Sequence, residues 1–404
     1  MVSALTRVFG MHNLALAEDV VQDALCRALE VWKYRGVPDN PSAWLMTAAK
    51  NRALDVLRRE RTVRTFAPEV ARLFEDEERA VPALDELLSP DALRDDELRM
   101  MFSCCHPRLP EEVQVALVLN VLSCFSVREI ASAFLCTSAA MEKRIARGKK
   151  VLAGTKTLFE LGSPLEFPAR LASVQHALYL TFNEGYHGAG VAAVRTELCD
   201  EAMRLVALLL QHPPSATPAT HALGALMGLH AARLPARLDE AGDLIPLRDQ
   251  DRRRWDERLL AEGRRLLDLS ATGPELSDYH VEAVIASVHS DTTISEETRW
   301  ARVVSLYDAL LTIRYSPVVA LQRALAIAER DGPERGLVAI RAIEDAERLG
   351  RYPFYFAALG ELQLRRGEHA EATQHFREAL ALARNDLERR FLRGRLARCD
   401  QSDE

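Results

Sequence analysis

The chain has 404 residues, 48% of them hydrophobic and only 6% aromatic, and carries a net charge of −7. That length allows two to four domains with real cores, and a bias to Ala and Leu over β-branched and aromatic residues argues against strands and for helices. No apolar run is long enough for a membrane span and no signal peptide is evident, so seven scattered cysteines point to a reducing cytosol.

From Leu14 to Trp32, Val20, Val21, Ala24, Leu25, Ala28, Leu29 and Trp32 recur at helical spacing and give one apolar side. The opposite side carries Glu18, Asp19, Gln22 and Asp23, which is either a solvated face or a docking patch for a basic partner. Gly36, Pro38, Asn40 and Pro41 make the segment from Lys33 to Pro41 a loop. Asn40 and Ser42 are both candidates to cap the next helix, expected from Ala43 to Arg61, whose apolar side is Trp44, Leu45, Ala48, Ala49, Ala53, Leu54, Val56 and Leu57. Lys50, Arg52, Arg58, Arg59, Arg61 and Arg64 outnumber Asp55 and Glu60 there. A basic helix fed by a loop with an exposed aromatic suits a nucleic-acid backbone and a stacked base.

Between Glu75 and Glu97 the sign reverses, with ten acidic residues against Arg79 and Arg94, and Pro82 and Pro90 inside. This composition predicts a linker rather than a packed element. Beyond it, Leu98 to Phe102 and Glu111 to Leu122 are expected as supporting helices. Cys104-Cys105-His106 lies between them and has no second ligand pair at zinc-like spacing, so buried thiols are expected and a metal is not.

Phe125 to Lys150 predicts two short helices joined by a tight turn. Ser126 is placed to cap the first, with Ile130, Ala131 and Phe134 inward, and Ser138 to cap the second, anchored by Met141 and Ile145. Lys143, Arg144, Arg147, Lys149 and Lys150 face a single Glu142 on that second helix. The layout is that of a helix-turn-helix whose second helix enters a major groove; the alternative is an ordinary helical hairpin with a solvated basic face.

After Pro164 and Pro168 the chain reads as successive amphipathic helices, with turns at His212 to Pro218, Asp331 to Pro333 and Gly350 to Pro353. Phe356, Leu359, Gly360, Gly367, Ala372, Phe376 and Ala379 fit a tetratricopeptide repeat, whereas Val319 to Tyr352 keeps only the apolar positions, so an α-solenoid-like domain is expected. Asn183-Glu184-Gly185-Tyr186-His187 offers an acid and a base, but no second carboxylate, nucleophile motif or phosphate loop accompanies it. A turn at Gly185 with Asn183 or Glu184 satisfying backbone groups is preferred to catalysis. Asp249, Gln250, Asp251 and Trp255 suit either a small ligand or, preferably, a buried polar network between helices. His176, His221, His280 and His289 stand singly and are expected to be structural or surface histidines.

In this order, the features resemble bacterial RNA polymerase sigma factors of the extracytoplasmic-function type. Ala17-Glu-Asp-Val-Val-Gln-Asp-Ala24 and Ala43 to Arg59 look like the family's regions 2.2 and 2.3 to 2.4, and Phe125 to Lys150 looks like region 4.2. Asn183-Glu-Gly-Tyr186, Asp249-Gln-Asp-Arg252 and Trp255 look like the long tail of one subgroup with tetratricopeptide-like helices. The resemblance implies an all-α chain: region 2 over 1–66, an acidic linker over 67–97, region 4 over 98–160 and a helical domain over 165–404. It also implies a short N-terminus ahead of the first family helix.

The resemblance further implies partners and sites. Glu18, Asp19, Gln22 and Asp23 would dock on the β′ coiled coil of core polymerase. Arg35, Asn40, Trp44, Asn51, Arg52, Asp55, Arg58 and Arg59 would meet the −10 strand, where a pocket must offset the cost of flipping a base. Ser138, Ala139, Met141, Glu142, Lys143, Arg144 and Arg147 would read the −35 duplex beside the β flap. The small Ser138-Ala139-Ala140 start shifts specificity toward DNA shape. Asn183, Glu184, Tyr186, Asp249, Asp251 and Trp255 form a polar cluster in the tail, which would regulate in cis or bind a regulatory protein. No catalytic residue, cofactor or metal is expected. The alternative class is a one-component regulator that binds duplex DNA and senses a ligand through its tail, which leaves the first module unexplained.

Overall fold

The computed structural model describes residues 1–9, 13–60, 90–106, 108–123, 125–134, 136–154, 166–187, 194–240 and 242–400. These form helices joined by turns and loops, and the only strand-like pairing among them is an isolated bridge between Leu238 and Leu244. Two compact units divide after Leu178.

The first unit begins with α1 (Val2–Phe9), α2 (Leu14–Arg35) and α3 (Pro41–Glu60). Leu5, Ala17, Val20, Val21, Ala24, Ala49 and Ala53 close a small-residue core, so three helices pack tightly. Leu25 and Leu29 do not join it: Leu29 is 75% exposed, because the apolar stripe drawn from sequence is wider than the surface that α1 and α3 cover. Most of the acidic tether lies outside the described residues, but its last part, expected as linker, is the start of α4 (Pro90–Cys104). Asp96 is fully buried there, 3.1 Å from Arg7 Nη1 of α1. Burial is the larger influence and raises the Asp96 carboxyl above its ordinary range, against the pull of Arg7.

Met100, Met101 and Phe102 of α4 form a second core with α5 (Glu111–Leu117), which continues as a π-helical turn through Leu122. The helix-turn-helix follows as α6 (Val127–Ala133) and α7 (Ser138–Ala153). Ser126 caps α6 in a reciprocal box: its Oγ accepts from Glu129 N at 3.3 Å while Ser126 N donates to Glu129 Oε2 at 2.8 Å. Thr137, not Ser138, caps α7, accepting from Ala140 N at 3.2 Å. Ile130, Ala131, Met141 and Ile145 are buried, whereas Phe134 falls in the turn and is half-buried.

The helix α8 (Phe167–His187) spans the division. In the second unit it is followed by α9 (Thr196–Gln211), α10 (Pro218–Ala231), α11 (Glu257–Ser270), α12 (Asp278–Ser290), α13 (Glu296–Ile313) and α14 (Pro317–Asp331). Then come α15 (Pro333–Arg341), α16 (Pro353–Arg365), α17 (His369–Leu382) and α18 (Asp386–Asp400). From α10 onward each helix packs on the next, the arrangement of a helical-repeat domain. The expected tetratricopeptide hairpin is α16–α17, where a Cβ on Gly360 would meet the Phe376 ring at 3.0 Å. The preceding window forms the same kind of hairpin, α14–α15, with Gly336 against Ala328. Gly185 corrects another expectation. It lies inside α8, not in a turn, and a Cβ there would come within 2.8 Å of Arg195 O and of Leu198 Cβ.

Candidate nucleic-acid interface

Burial of Ala17, Val20, Val21 and Ala24 turns the intervening residues of α2 outward. Asp19, Gln22 and Asp23 are exposed and Glu18 is half-buried. Two of the three carboxylates already hold a base of this chain. Glu18 accepts from Lys149 Nζ of α7 at 2.7 Å through both oxygens, and Asp23 accepts from Arg52 Nε of α3 at 2.7 Å. Asp19 has no basic partner among the described residues.

The loop after α2 starts at Gly36, whose φ of 77° favours glycine, and its N–H returns to Trp32 O at 3.0 Å. Arg35 and Asn40 are exposed beside it. Trp44, expected both on the apolar side of α3 and among the −10 residues, is half-buried and packs edge-on to Trp32 with centroids 5.5 Å apart, which suits the first role. The aromatic of the stretch from Lys33 to Pro41 is Tyr34, which is 83% exposed, followed by exposed Val37. The sequence expects an exposed aromatic in this stretch without singling out Tyr34, which sits in the last turn of α2, where periodicity no longer separates inside from outside. Along α3, Asn51 and Asp55 are exposed and Arg52 is half-buried, while the side chains of Arg58 and Arg59 lie outside the described set.

On α7, Ser138, Ala139, Glu142, Lys143 and Arg147 are exposed in one band. Arg144 is half-buried, its Nη1 3.1 Å from Glu112 of α5. Met141 is fully buried, so it anchors α7 and cannot touch a base edge, contrary to its place among the expected readers. A Cβ on Gly148 would meet Val113 at 2.8 Å, which is why α7 can lie close against α5.

Below the Glu18–Lys149 pair, Cys104 and Cys105 are fully buried; burial pushes the Cys104 thiol up to about 12 and raises Cys105 as well. His106 is lowered by burial, then by Arg170 and Arg108. Among the described residues no group of three His, Cys, Asp or Glu side chains is arranged to hold a metal ion.

The tail residues singled out from sequence do not form one network. Asn183 hydrogen-bonds the Tyr179 phenol and Glu184 is half-buried on α8. Asp249 is exposed next to Arg248, and Asp251 caps a short turn, accepting from Arg253 N at 3.0 Å. Tyr186 and Trp255 are buried, and what links them is a set of arginines that the sequence reading passed over.

Residues 1–63 match the family model for sigma-70 region 2 and residues 99–152 that for sigma-70 region 4. A protein of Rhizobium meliloti (strain 1021), itself described as uncharacterized, is 39% identical over 394 residues, 97% of this chain and 92% of its own length. The chain belongs to the extracytoplasmic-function sigma factors. Its tail, over residues 170–271, matches a family of unknown function, DUF6596. No solved structure matches the chain.

A sigma factor binds core RNA polymerase and promoter DNA and directs transcription initiation, and families of this kind are not enzymes. In this sigma factor, the exposed band of α7 lies on one family-matched segment, and Tyr34 with the loop after α2 on the other. Among the described residues, no helix is long and apolar enough to cross a membrane.

Proposed function

We propose that this sigma factor docks on core polymerase through α2, captures the −10 strand with the loop after α2 and the outer face of α3, and lays α7 in the −35 duplex. The working boundaries are 1–66 for the first module, 67–97 for the linker, 98–160 for the second module and 165–404 for the regulatory tail. The observation that carries the reading is the exposure of Asp19, Gln22 and Asp23 on the face of α2 opposite a packed core. Exposed carboxylates beside an amide suit a basic coiled coil such as that of the β′ subunit. Asp19 is the anchor of choice, because Lys149 occupies Glu18 and Arg52 occupies Asp23.

On the promoter side, Arg35, Asn40, Asn51 and Arg52 offer donors to phosphates and an unstacked base, with Tyr34 as the stacking face. On α7, Lys143, Arg144 and Arg147 grip phosphates while Ser138, Ala139 and Glu142 approach the groove floor. The short Ser138 and Ala139 side chains support a reading in which DNA shape contributes to specificity. The helical tail acts in cis on these modules or on the polymerase.

Charge reversal at Asp19 tests the docking role with least damage, since it breaks no ion pair of the described structure. Asp19→Arg is expected to abolish core polymerase binding in a pull-down and fluorescence titration, and to leave duplex binding by the second module within about twofold. Unchanged core affinity removes α2 as the docking element.

A further inference from the structure

One part of the second unit gathers arginines, most of which have no paired carboxylate among the described residues. Arg233 follows α10, and Arg252 opens the short turn Arg252–Arg254; their guanidinium carbons lie 5.6 and 5.2 Å from the Trp255 ring centre. Arg237 lies 3.9 Å over the ring of Tyr186 from α8. Arg299, near the start of α13, is close enough to Arg252 for each to feel the other's charge, and Arg233 likewise feels Arg237 and Arg252. All four arginines are half-buried.

Among the described residues, no carboxylate pairs with Arg233, Arg237 or Arg252. Arg233 Nε reaches only the Gln250 side chain, at 3.4 Å. Arg299 donates from Nη2 to Asp291 O at 3.0 Å and to Ile294 O at 3.5 Å, and its nearest carboxylate, Glu296 at 3.9 Å, is 86% exposed and screened by water. Four N–H groups here are buried without an acceptor: Arg237 Nη1, Arg252 Nη1, Arg299 Nε and the indole Nε1 of Trp255, a residue only 5% exposed. An unmet buried donor is costly, and several around one spot are more so. The aromatic faces attract the cations but supply no acceptor for their N–H groups. Burial, then Arg233, Arg299 and Arg252, lowers His289 to about 4, so this neighbour stays neutral and adds no further charge.

We propose that Arg233, Arg237 and Arg252, with the buried indole N–H of Trp255, form a binding site for a small phosphate-type oxyanion in the sigma factor's tail. A tetrahedral dianion presents acceptors in several directions, whereas a single carboxylate matches one guanidinium fork. Recessed, half-buried arginines favour a small ligand over a nucleic-acid backbone, which needs exposed cations. The inference is independent of how the tail acts on the sigma modules.

The test is calorimetric titration of the full chain with inorganic phosphate, pyrophosphate and glycerol 3-phosphate, each against sodium chloride at matched ionic strength. Pyrophosphate is expected to bind, and Arg237→Gln and Arg252→Gln each to weaken it about tenfold, the scale of one lost charge-assisted pair. Tighter binding of glycerol 3-phosphate than of inorganic phosphate identifies an organic phosphate as the ligand, and the reverse an inorganic one. Circular dichroism checks the fold of the variants. Should a glutamine variant unfold, Arg252→Lys, which keeps the charge but loses the fork, is expected to weaken binding by several-fold. No binding beyond the chloride control, equal affinity in the variants, or a single-stranded oligonucleotide that outcompetes pyrophosphate at these arginines overturns the proposal.

Discussion

Glu282 of α12 occupies a poor place for a carboxylate. It is half-buried, accepts from the Tyr179 phenol at 3.1 Å, and burial pushes it from 4.5 up to about 7. The folded state therefore favours the protonated form, so its contribution is intact below 4.5 and is lost as pH rises through 7. Glu282→Gln keeps an acceptor for Tyr179 and removes the charge. We expect the variant to be more stable than the parent by roughly 1–3 kcal/mol at pH 8 and nearly equal at pH 4.5. Urea unfolding at the two pH values measures this. His289 has the opposite dependence, losing stability as pH falls from 6.5 toward 4, but it is common to both proteins and cancels in the difference. A pH-independent gap would mean that packing, not charge, sets the effect. Sites like these were not legible in the sequence, where Glu282 is one more polar residue in an amphipathic run. Met141 and Gly185 show the same limit. Each has a residue type that fits two roles, and only the neighbouring helix decides between them.

Helix boundaries were easier, because caps and prolines are local chemistry. The turns before Pro218, Pro333 and Pro353 fall where the sequence puts them, since proline is suited to the first turn of a helix and ill-suited to its interior. The capping box at Ser126 and Glu129 is equally local. Ser126→Ala is expected to cost about 1 kcal/mol, and hydrogen exchange should show the loss confined to the first turn of α6. Uniform loss of protection through α7 would instead mean that the box holds the whole hairpin. The start of α4 escaped the sequence reading because net charge suggested a solvated tether. What makes it helix is tertiary: Asp96 is buried and meets Arg7 from the far end of the unit's sequence. Likewise, the partners of Glu18 and Asp23 come from other helices, so the acidic patch was legible but its internal occupation was not.

For the whole molecule, the order of modules was recoverable from the sequence because each has its own charge signature, and the family matches agree with that order. The tail's arginine cluster was not, since its members are scattered from Arg233 to Arg299 and only folding gathers them. The structure also determines where the tail can be removed. Within the first unit, Phe167 of α8 stacks on Phe102 with centroids 5.2 Å apart, and Leu171 and Val174 are buried beyond it. Glu111 of α5 lies 3.3 Å from His176 Nε2. A chain ending at Ser163 discards all of these, and each lost apolar side chain removes roughly 1.5–3 kcal/mol of burial from the promoter-reading half. A chain ending at Leu178 keeps them. We expect the Leu178 chain to melt cooperatively and the Ser163 chain to be markedly less stable. Run-off transcription with core polymerase, comparing the Leu178 chain with full length, then isolates the tail. If the tail acts in cis, output changes severalfold. A rise assigns it a restraining role and a fall an activating one, and equal output from the two chains eliminates control in cis.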